Sequence, residues 1–167
     1  LIEKSNNEIK DCDLDKHHDI CAEVAEDSIV LLKNDDNFFP LNKEDKDILM
    51  VGNFFNSIRF MGGGSSQMIP YKVTNVNDDK KKKKIPYQFA LGYDLKEPQN
   101  NEELLKEAVN KAKNASKVIL FIGLTDKEEA EGYDRPDINL PEEHNKLVEE
   151  ILKVNPNLGI VLFNGSV

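Results

Sequence analysis

The sequence has no long apolar run and fewer basic than acidic side chains, and both shortages exclude classes of partner. No segment approaches the roughly 20 consecutive apolar residues that a membrane-spanning helix requires. The 22 Lys and Arg residues are outnumbered by 31 Asp and Glu residues, which gives a formal net charge of -9 at pH 7. Nucleic acids and anionic membranes select basic surfaces. We therefore expect an acidic globular domain with no nucleic-acid partner and no membrane partner.

Cysteine is equally scarce. Cys12 and Cys21 are too few for a disulfide framework and form no Cys-x-x-Cys pair. The three histidines do not stand at zinc-finger spacing from them. We expect two reduced thiols, one of them buried on a helix, and no metal site.

The first residues, from 1 to about 14, show no periodic apolar pattern. The segment from Leu1 to Asn7 is polar, and it lacks both an initiator Met and the apolar core of a signal peptide. These features predict a linker whose true N-terminus lies upstream, followed by one domain over residues 15–167. They favour a soluble protein and a cytoplasmic over a secreted location, and the location itself stays open.

Apolar runs and helical spacings alternate along the rest of the chain. Three runs suit strands that are buried on both faces of a parallel sheet: Asp47–Gly52, Lys117–Gly123 and Leu158–Gly165. Helical periodicity predicts three helices, from Asp13 or Asp15 to about Lys33, from about Asn101 to Ala115, and from Pro141 to about Val154. This alternation predicts an α/β fold, a three-layer α/β/α sandwich around a mostly parallel, doubly wound sheet.

A run of five lysines, Lys80 to Lys84, is the one basic island in the sequence. The acidic residues beside it and the overall negative charge argue against an anion site. We predict a solvated loop or edge there, because runs of like charge repel one another and stay exposed.

A glycine-rich segment follows the first predicted strand. Arg59 precedes Gly62, Gly63 and Gly64, and Ser65 and Ser66 end the segment. Glycines let a backbone approach a ligand closely, and the hydroxyls add donors and acceptors. The spacing fits neither the P-loop nor the dinucleotide-binding pattern, so a nucleotide site is the weaker interpretation.

An acidic segment, residues 125–135, follows the second predicted strand. It contains five carboxylates between Asp126 and Asp134, with Arg135 directly after them, in a register that does not match a calcium loop. One interpretation is an acidic surface loop with an Asp–Arg pair. The other is a general acid, since a mobile loop at the carboxyl edge of a sheet can bring a Glu into a partly buried site that raises its pKa.

Taken in order, these segments resemble family 3 glycoside hydrolases. The resemblance covers about residues 22–167, and four motifs in the family's order carry it: the segment from Ala25 to Asn34 continued by Phe39-Pro40-Leu41, Gly62–Ser66, Glu131–Arg135 continued by Ile138–Pro141, and Asn164–Val167. It implies the C-terminal α/β sandwich domain of a β-glucosidase-like enzyme, truncated at its C-terminal end. The partner domain implied is an N-terminal (β/α)8 barrel of the same protein.

The resemblance also implies a chemistry and its residues. Such enzymes hydrolyse terminal, non-reducing β-linked sugars with retention, using an Asp nucleophile on the barrel and no cofactor or metal. The acid/base Glu corresponds to Glu131, with Glu129 as second choice because an alignment can slip within an acidic run. Arg59, Ser65 and Ser66 are implied to contact the sugar or support the acidic loop, and the structural loop residues are Gly62, Gly63, Gly64, Asp134 and Arg135. Without the barrel, we expect the chain to be inactive; the alternative is a non-catalytic carbohydrate-binding or interaction module on the same scaffold.

Overall fold

The computed structural model describes residues 12–78, 85–94, 101–126 and 128–165. The predicted lead-in before residue 12 and the lysine run from Lys80 to Lys84 lie outside the described residues. The chain forms two compact units, one of Leu1–Lys33 with Pro70–Val73 and the other of Asn34–Ile69 with Thr74–Val167.

The smaller unit contains helix α1, Leu14–Ser28. Asp13 caps its start, because the carboxylate accepts a hydrogen bond of 3.0 Å from the backbone N–H of Lys16. The prediction that this helix continues to about Lys33 is wrong, since Ile29 is already extended. The β-branched pair Ile29 and Val30 disfavours helix, and the Ser28 hydroxyl donates to a carbonyl of the last turn.

The apolar side chains of this unit are solvent-exposed, and so are its two cysteines. Ile20, Val24 and Leu32, which stand at helical spacing, are 46%, 60% and 82% exposed. Both cysteines are exposed free thiols, so the prediction of one thiol buried on a helix is wrong. The apolar stripe therefore contributes nothing to a core within the described residues.

The larger unit is built on a four-stranded sheet with strands β1 to β4 in chain order. The strands are Ile48–Val51, Tyr87–Ala90, Lys117–Gly123 and Leu158–Phe163. They lie in the order β2-β1-β3-β4, and every neighbouring pair is parallel. The chain moves outward from β1 to β2 and then returns to the other side of β1, which makes the sheet doubly wound. The predicted α/β class is confirmed.

Helices α2, Asn101–Ala112, and α3, Glu142–Leu152, belong to the core on one face of this sheet. Their small and apolar side chains pack with Leu49, Val51, Val118 and Leu120 of the central strands. The opposite face carries an aromatic cluster in which Phe55 packs near Phe89 and Phe121. Central strands β1 and β3 are thus buried on both faces, as their continuous apolar sequences predict. The same prediction for β4 is wrong, because β4 lies at the edge of the described sheet and its Ile160 and Leu162 are 43% and 42% exposed.

Strand β2 is the one strand that the apolar runs did not predict. It is four residues long and lies at the edge of the sheet, where of its residues only Ala90 is fully buried. A half-exposed edge strand needs no continuous apolar run. In β2 the polar Gln88 stands among the apolar residues, so the strand has no such run. The carboxyl ends of β1 and β3, between which the strand order reverses, define the place where a doubly wound sheet presents its ligand-binding loops.

Candidate active site

The glycine loop, residues 59–66, follows β1 on the carboxyl side of the sheet. Gly52 ends β1 with a φ of 116°, and a short 3-10 turn over Asn53–Phe55 begins the connection. A second 3-10 turn, Gly64–Ser66, ends the loop, and Gly64 has a φ of 86°. These positive φ angles explain why the chain uses glycine there.

The acidic loop, residues 124–135, follows β3, the strand next to β1. The backbone N–H of Glu129 donates to the carbonyl of Thr125 over 3.0 Å and closes a turn. The Glu128 carboxylate caps this turn, since it accepts from the backbone N–H of Thr125 at 2.8 Å and from its hydroxyl. Glu128 is therefore committed to shaping the loop.

Backbone hydrogen bonds join the two loops. The N–H of Gly63 donates to the carbonyl of Glu129 over 3.1 Å, and the N–H of Glu131 donates to the carbonyl of Gly63 over 3.2 Å. The approach is close, because a Cβ on Gly63 would lie 2.9 Å from the Cβ of Ala130. The glycine loop and the acidic loop thus form one hydrogen-bonded unit.

Glu131 lies on the exposed side of this unit. Its Oε2 accepts a 2.9 Å hydrogen bond from the backbone N–H of Ser65 and a second hydrogen bond from the Ser65 hydroxyl. These two bonds from Ser65 lower the pKa of the Glu131 carboxyl. In this chain the Glu131 side chain is exposed, and both donors favour its ionised form.

Glu129 lies in a different environment although it is two residues away. Its carboxylate pairs with the Arg59 guanidinium, and both side chains are 12% exposed. The backbone N–H of Gly165, beyond β4, donates to the same carboxylate at 2.9 Å and 3.2 Å. The structure thus brings together Arg59, Glu129, Ser65 and Glu131, whereas the Ser66 hydroxyl turns back to the carbonyls of Gly62 and Gly63.

Of the remaining predicted loop residues, Arg135 lines a shallow cleft of about 350 Å³. Its walls include Glu128, Tyr133, Arg135 and Asp137. Asp134 is exposed and Arg135 half-buried, and the cleft lies on the side of the acidic loop that leads into α3.

Comparison with known proteins identifies the family. The family model described as the glycosyl hydrolase family 3 C-terminal domain matches residues 29–167. The chain belongs to glycoside hydrolase family 3. The matched residues contain both loops of the candidate site, and the resemblance predicted from their motifs is confirmed.

Relatives of this family 3 domain are glycosidases. Thermostable beta-glucosidase B of Acetivibrio thermocellus is 36% identical over 157 residues, which cover 92% of this chain and 21% of that protein. Exo-alpha-(1->6)-L-arabinopyranosidase of Bifidobacterium longum is 37% identical over 163 residues, which cover 93% of this chain and 22% of that protein. The chain therefore spans about a fifth of the length of these curated relatives.

The crystal structure of a Bifidobacterium adolescentis family 3 beta-glucosidase superposes with a TM-score of 0.88 at 35% identity. The match covers 97% of this chain and 24% of that one. The α/β sandwich assigned from the sequence is thus also the fold of this solved enzyme over the matched region.

His144 is a residue of the family 3 domain that the sequence reasoning did not single out. It is fully buried on α3, its Nδ1 lies 3.5 Å from the backbone N of Gly123, and its ring contacts Tyr93 edge-on at 4.2 Å between ring centroids. Burial lowers its pKa from 6.5 to about 4. Its spacing in the sequence indicates its burial, because His144 stands three and seven residues before the buried Leu147 and Ile151 and so lies on the same face of the helix.

Two further features concern residues 12–78, 85–94, 101–126 and 128–165, which the structure describes. Within them, no group of three or more His, Cys, Asp and Glu side chains is arranged to hold a metal ion. No helix of the described chain has the length and hydrophobicity to cross a membrane.

Proposed function

We propose that this domain supplies Glu131 as the general acid/base of a retaining glycosidase whose Asp nucleophile lies on an N-terminal (β/α)8 barrel of the same protein. The observation that carries the proposal is the difference between the neighbouring carboxylates. Glu128 and Glu129 are bound into the loop framework, whereas Glu131 is exposed at the carboxyl edge of the sheet beside the strand-order reversal.

The proposed reaction has two steps. The barrel Asp attacks the anomeric carbon while protonated Glu131 donates its proton to the departing glycosidic oxygen. Ionised Glu131 then removes a proton from water, which hydrolyses the glycosyl-enzyme. Retention requires the two carboxyl groups to lie ~5–5.5 Å apart, so the barrel must seat directly over the two joined loops.

The Ser65 hydrogen bonds fit the second step, because they stabilise the carboxylate that accepts a proton from water. The first step needs the protonated form. Burial of Glu131 beneath barrel and sugar raises its pKa, since desolvation disfavours the charged form.

The proposed substrates are glycosides with a terminal, non-reducing β-linked sugar. The relatives named as beta-glucosidase and beta-xylosidase support this class, whereas the Bifidobacterium longum relative is named for an alpha-(1->6) linkage to L-arabinopyranose. The chain alone lacks a nucleophile under this proposal, so we expect no turnover of an aryl β-glucoside by the purified 167-residue chain. Measurable turnover by that chain would contradict the two-domain arrangement.

Replacement of Glu131 tests the acid/base role in the parent polypeptide that contains the barrel. We expect Glu131→Ala to reduce turnover by about a hundredfold to ten-thousandfold, because that is the usual contribution of a general acid/base. The loss is expected to be greatest for poor leaving groups, and azide should partly restore turnover because it needs no general base.

The matched control is Glu149→Gln, which removes a negative charge from an exposed position of α3. We expect it to retain full activity. Unchanged kinetics in Glu131→Ala would exclude the proposed role.

A further inference from the structure

We infer that Glu129 is the positioning residue of this site: its carboxylate fastens the acidic loop to the glycine loop and to the end of β4, and so fixes the place of Glu131. The inference rests on the proposed function of Glu131 and divides the work between the two glutamates that the sequence motif leaves as alternatives. The contacts among Glu129, Arg59 and Gly165 form a clamp.

The clamp joins three segments that are distant in sequence. Arg59 lies 70 residues before Glu129, and Gly165 lies 36 residues after it. Arg59 donates to Oε2, while the backbone N–H of Gly165 reaches both carboxylate oxygens. One side chain therefore ties together the segments that follow β1, β3 and β4.

The clamp acts close to Glu131. The carbonyl of Glu129 accepts from Gly63, and the N–H of Glu131 donates back to the carbonyl of Gly63. The backbone on which Glu131 stands is thus held from one side by the Glu129 carboxylate and from the other by Gly63. Ser65, two residues beyond Gly63, then orients the Glu131 carboxylate itself.

Burial makes the clamp stronger than an ordinary surface ion pair. Both charged side chains are 12% exposed, and charge-assisted hydrogen bonds in such a setting contribute more than solvated pairs. The buried Nε of Arg59 has no hydrogen-bond partner among the described residues. Loss of the Glu129 side chain would remove the carboxylate that pairs with the Arg59 guanidinium as well. A buried charge without its counter-charge is strongly destabilising.

The same contacts make Glu129 a poor proton carrier. Its acceptor oxygens receive a guanidinium and a backbone N–H, and a move toward a sugar would break both. The approach of Gly165 is also close, since a Cβ there would lie 3.2 Å from Oε2 of Glu129. Glu129 holds the loop in place, and proton transfer falls to Glu131.

Amide hydrogen exchange of the 167-residue chain tests the clamp without any need for activity. In Glu129→Gln, and separately in Arg59→Met, we expect the amides of Gly63, Glu131 and Gly165 to exchange about tenfold faster or more, as the loss of a charged hydrogen bond permits. The double variant should show little further increase, because both changes remove the same interaction.

Two controls accompany these variants. Glu149→Gln makes the same charge change on α3, and Glu131→Gln removes the proposed acid/base while leaving the clamp in place. Neither should accelerate exchange at Gly165, and amides in β3 should stay protected throughout. If Glu129→Gln also exposes β3, then Arg59→Lys, which keeps the positive charge, serves as the milder variant and should accelerate Gly165 less than Arg59→Met does. Unchanged exchange at Gly165 in Glu129→Gln, or equal exchange there in Arg59→Lys and Arg59→Met, would overturn the inference.

Kinetics of the barrel-containing parent distinguish positioning from proton transfer. Glu129→Gln should lower kcat by a smaller factor than Glu131→Ala does, with the same order of leaving groups, because Glu131 is displaced but still present. Azide should not restore kcat, because the Glu131 carboxylate remains in the site. Restoration by azide would make Glu129 the acid/base and overturn the inference. If instead Glu131→Ala leaves the kinetics unchanged, the proposed function fails, while the exchange measurements still decide whether the clamp exists.

Discussion

Two donors of one serine converge on a single oxygen of Glu131, and both favour the ionised form of the carboxyl. The Ser65 backbone N–H and hydroxyl both stabilise the negative form, so the folded-state pKa lies below the ordinary value. A depressed folded-state pKa means that the contact stabilises the fold above the unfolded pKa, and that this contribution is lost as the pH falls through the folded pKa.

Ser65→Ala removes the hydroxyl and leaves the backbone donor in place. We expect the pKa of Glu131 to rise toward the ordinary value for glutamate, because the larger of the two stabilising hydrogen bonds is lost. A carboxyl-carbon NMR titration of the 167-residue chain measures the change. Ser66→Ala is the matched control, since the Ser66 hydroxyl donates to backbone carbonyls of the glycine loop. An equal rise in both variants would contradict the assignment.

At the scale of the elements, the end of β1 lies so close to β3 that Gly52 has no space for a side chain. Gly52 has a φ of 116°, and a Cβ there would lie 2.2 Å from the carbonyl oxygen of Phe121. This close approach lets the glycine loop leave β1 beside the neighbouring strand. The geometry of the site therefore depends on a glycine that lies outside it.

Gly52→Ala is expected to lower the free energy of unfolding by about 3 kcal/mol or more, because backbone strain adds to a clash with another strand. Gly132→Ala is the matched control. Gly132 also has a positive φ, 74°, but nothing lies within 4 Å of its Cβ position, so that only the conformational cost of about 1 kcal/mol remains. Urea denaturation followed by far-UV circular dichroism measures both. Equal losses would show that the approach to Phe121 is not the cause.

How much of these elements the sequence predicts depends on how local each signal is. Strands β1, β3 and β4 follow from continuous apolar runs and need no knowledge of their partners. The β2 edge strand and the early end of α1 do not follow from the apolar pattern. Tertiary context decides the position of β2, and Ser28 and Ile29 end α1 before the apolar spacing does.

The contacts of the candidate site are still less accessible to sequence reasoning. Family motifs bring Glu129 and Glu131 forward together, and nothing local distinguishes two acids in one acidic run. Their environments differ because Arg59 and Ser65, 66 or more residues away, pair with one each. The parallel pairing of β1 with β3 brings Arg59 and Ser65 next to the acidic loop. The sequence of neither loop indicates this long-range pairing.

At the scale of the whole molecule, a buried neutral histidine makes stability depend on pH. His144 lies on the face of α3 that packs against the sheet. Burial lowers its pKa despite the opposing effects of Glu143 and Glu128. With a folded-state pKa of about 4 against 6.5 when unfolded, the unfolded chain binds more protons between these values. Stability is therefore lost as the pH falls from about 6.5 to about 4.

We expect this one group to remove up to about 3 kcal/mol of unfolding free energy across that interval, since each pKa unit corresponds to about 1.4 kcal/mol. Urea denaturation at a series of pH values measures the slope. His144→Leu should flatten the curve between pH 6.5 and 4, whereas His17→Gln, on the exposed surface of α1, should leave the slope as it is. An unchanged slope in His144→Leu would assign the acid sensitivity to other groups.

The three-way contact of Glu129 also has a consequence for the order in which the chain acquires its structure during synthesis. The ribosome releases the chain from its N-terminus, so Arg59 is available before Glu129, and Gly165 emerges 36 residues after Glu129. The acidic loop can meet the glycine loop once β3 has emerged and paired with β1. It gains its third attachment only when β4 has followed. The loop that carries the carboxylate proposed for catalysis thus gains its third attachment only after β4 has been made.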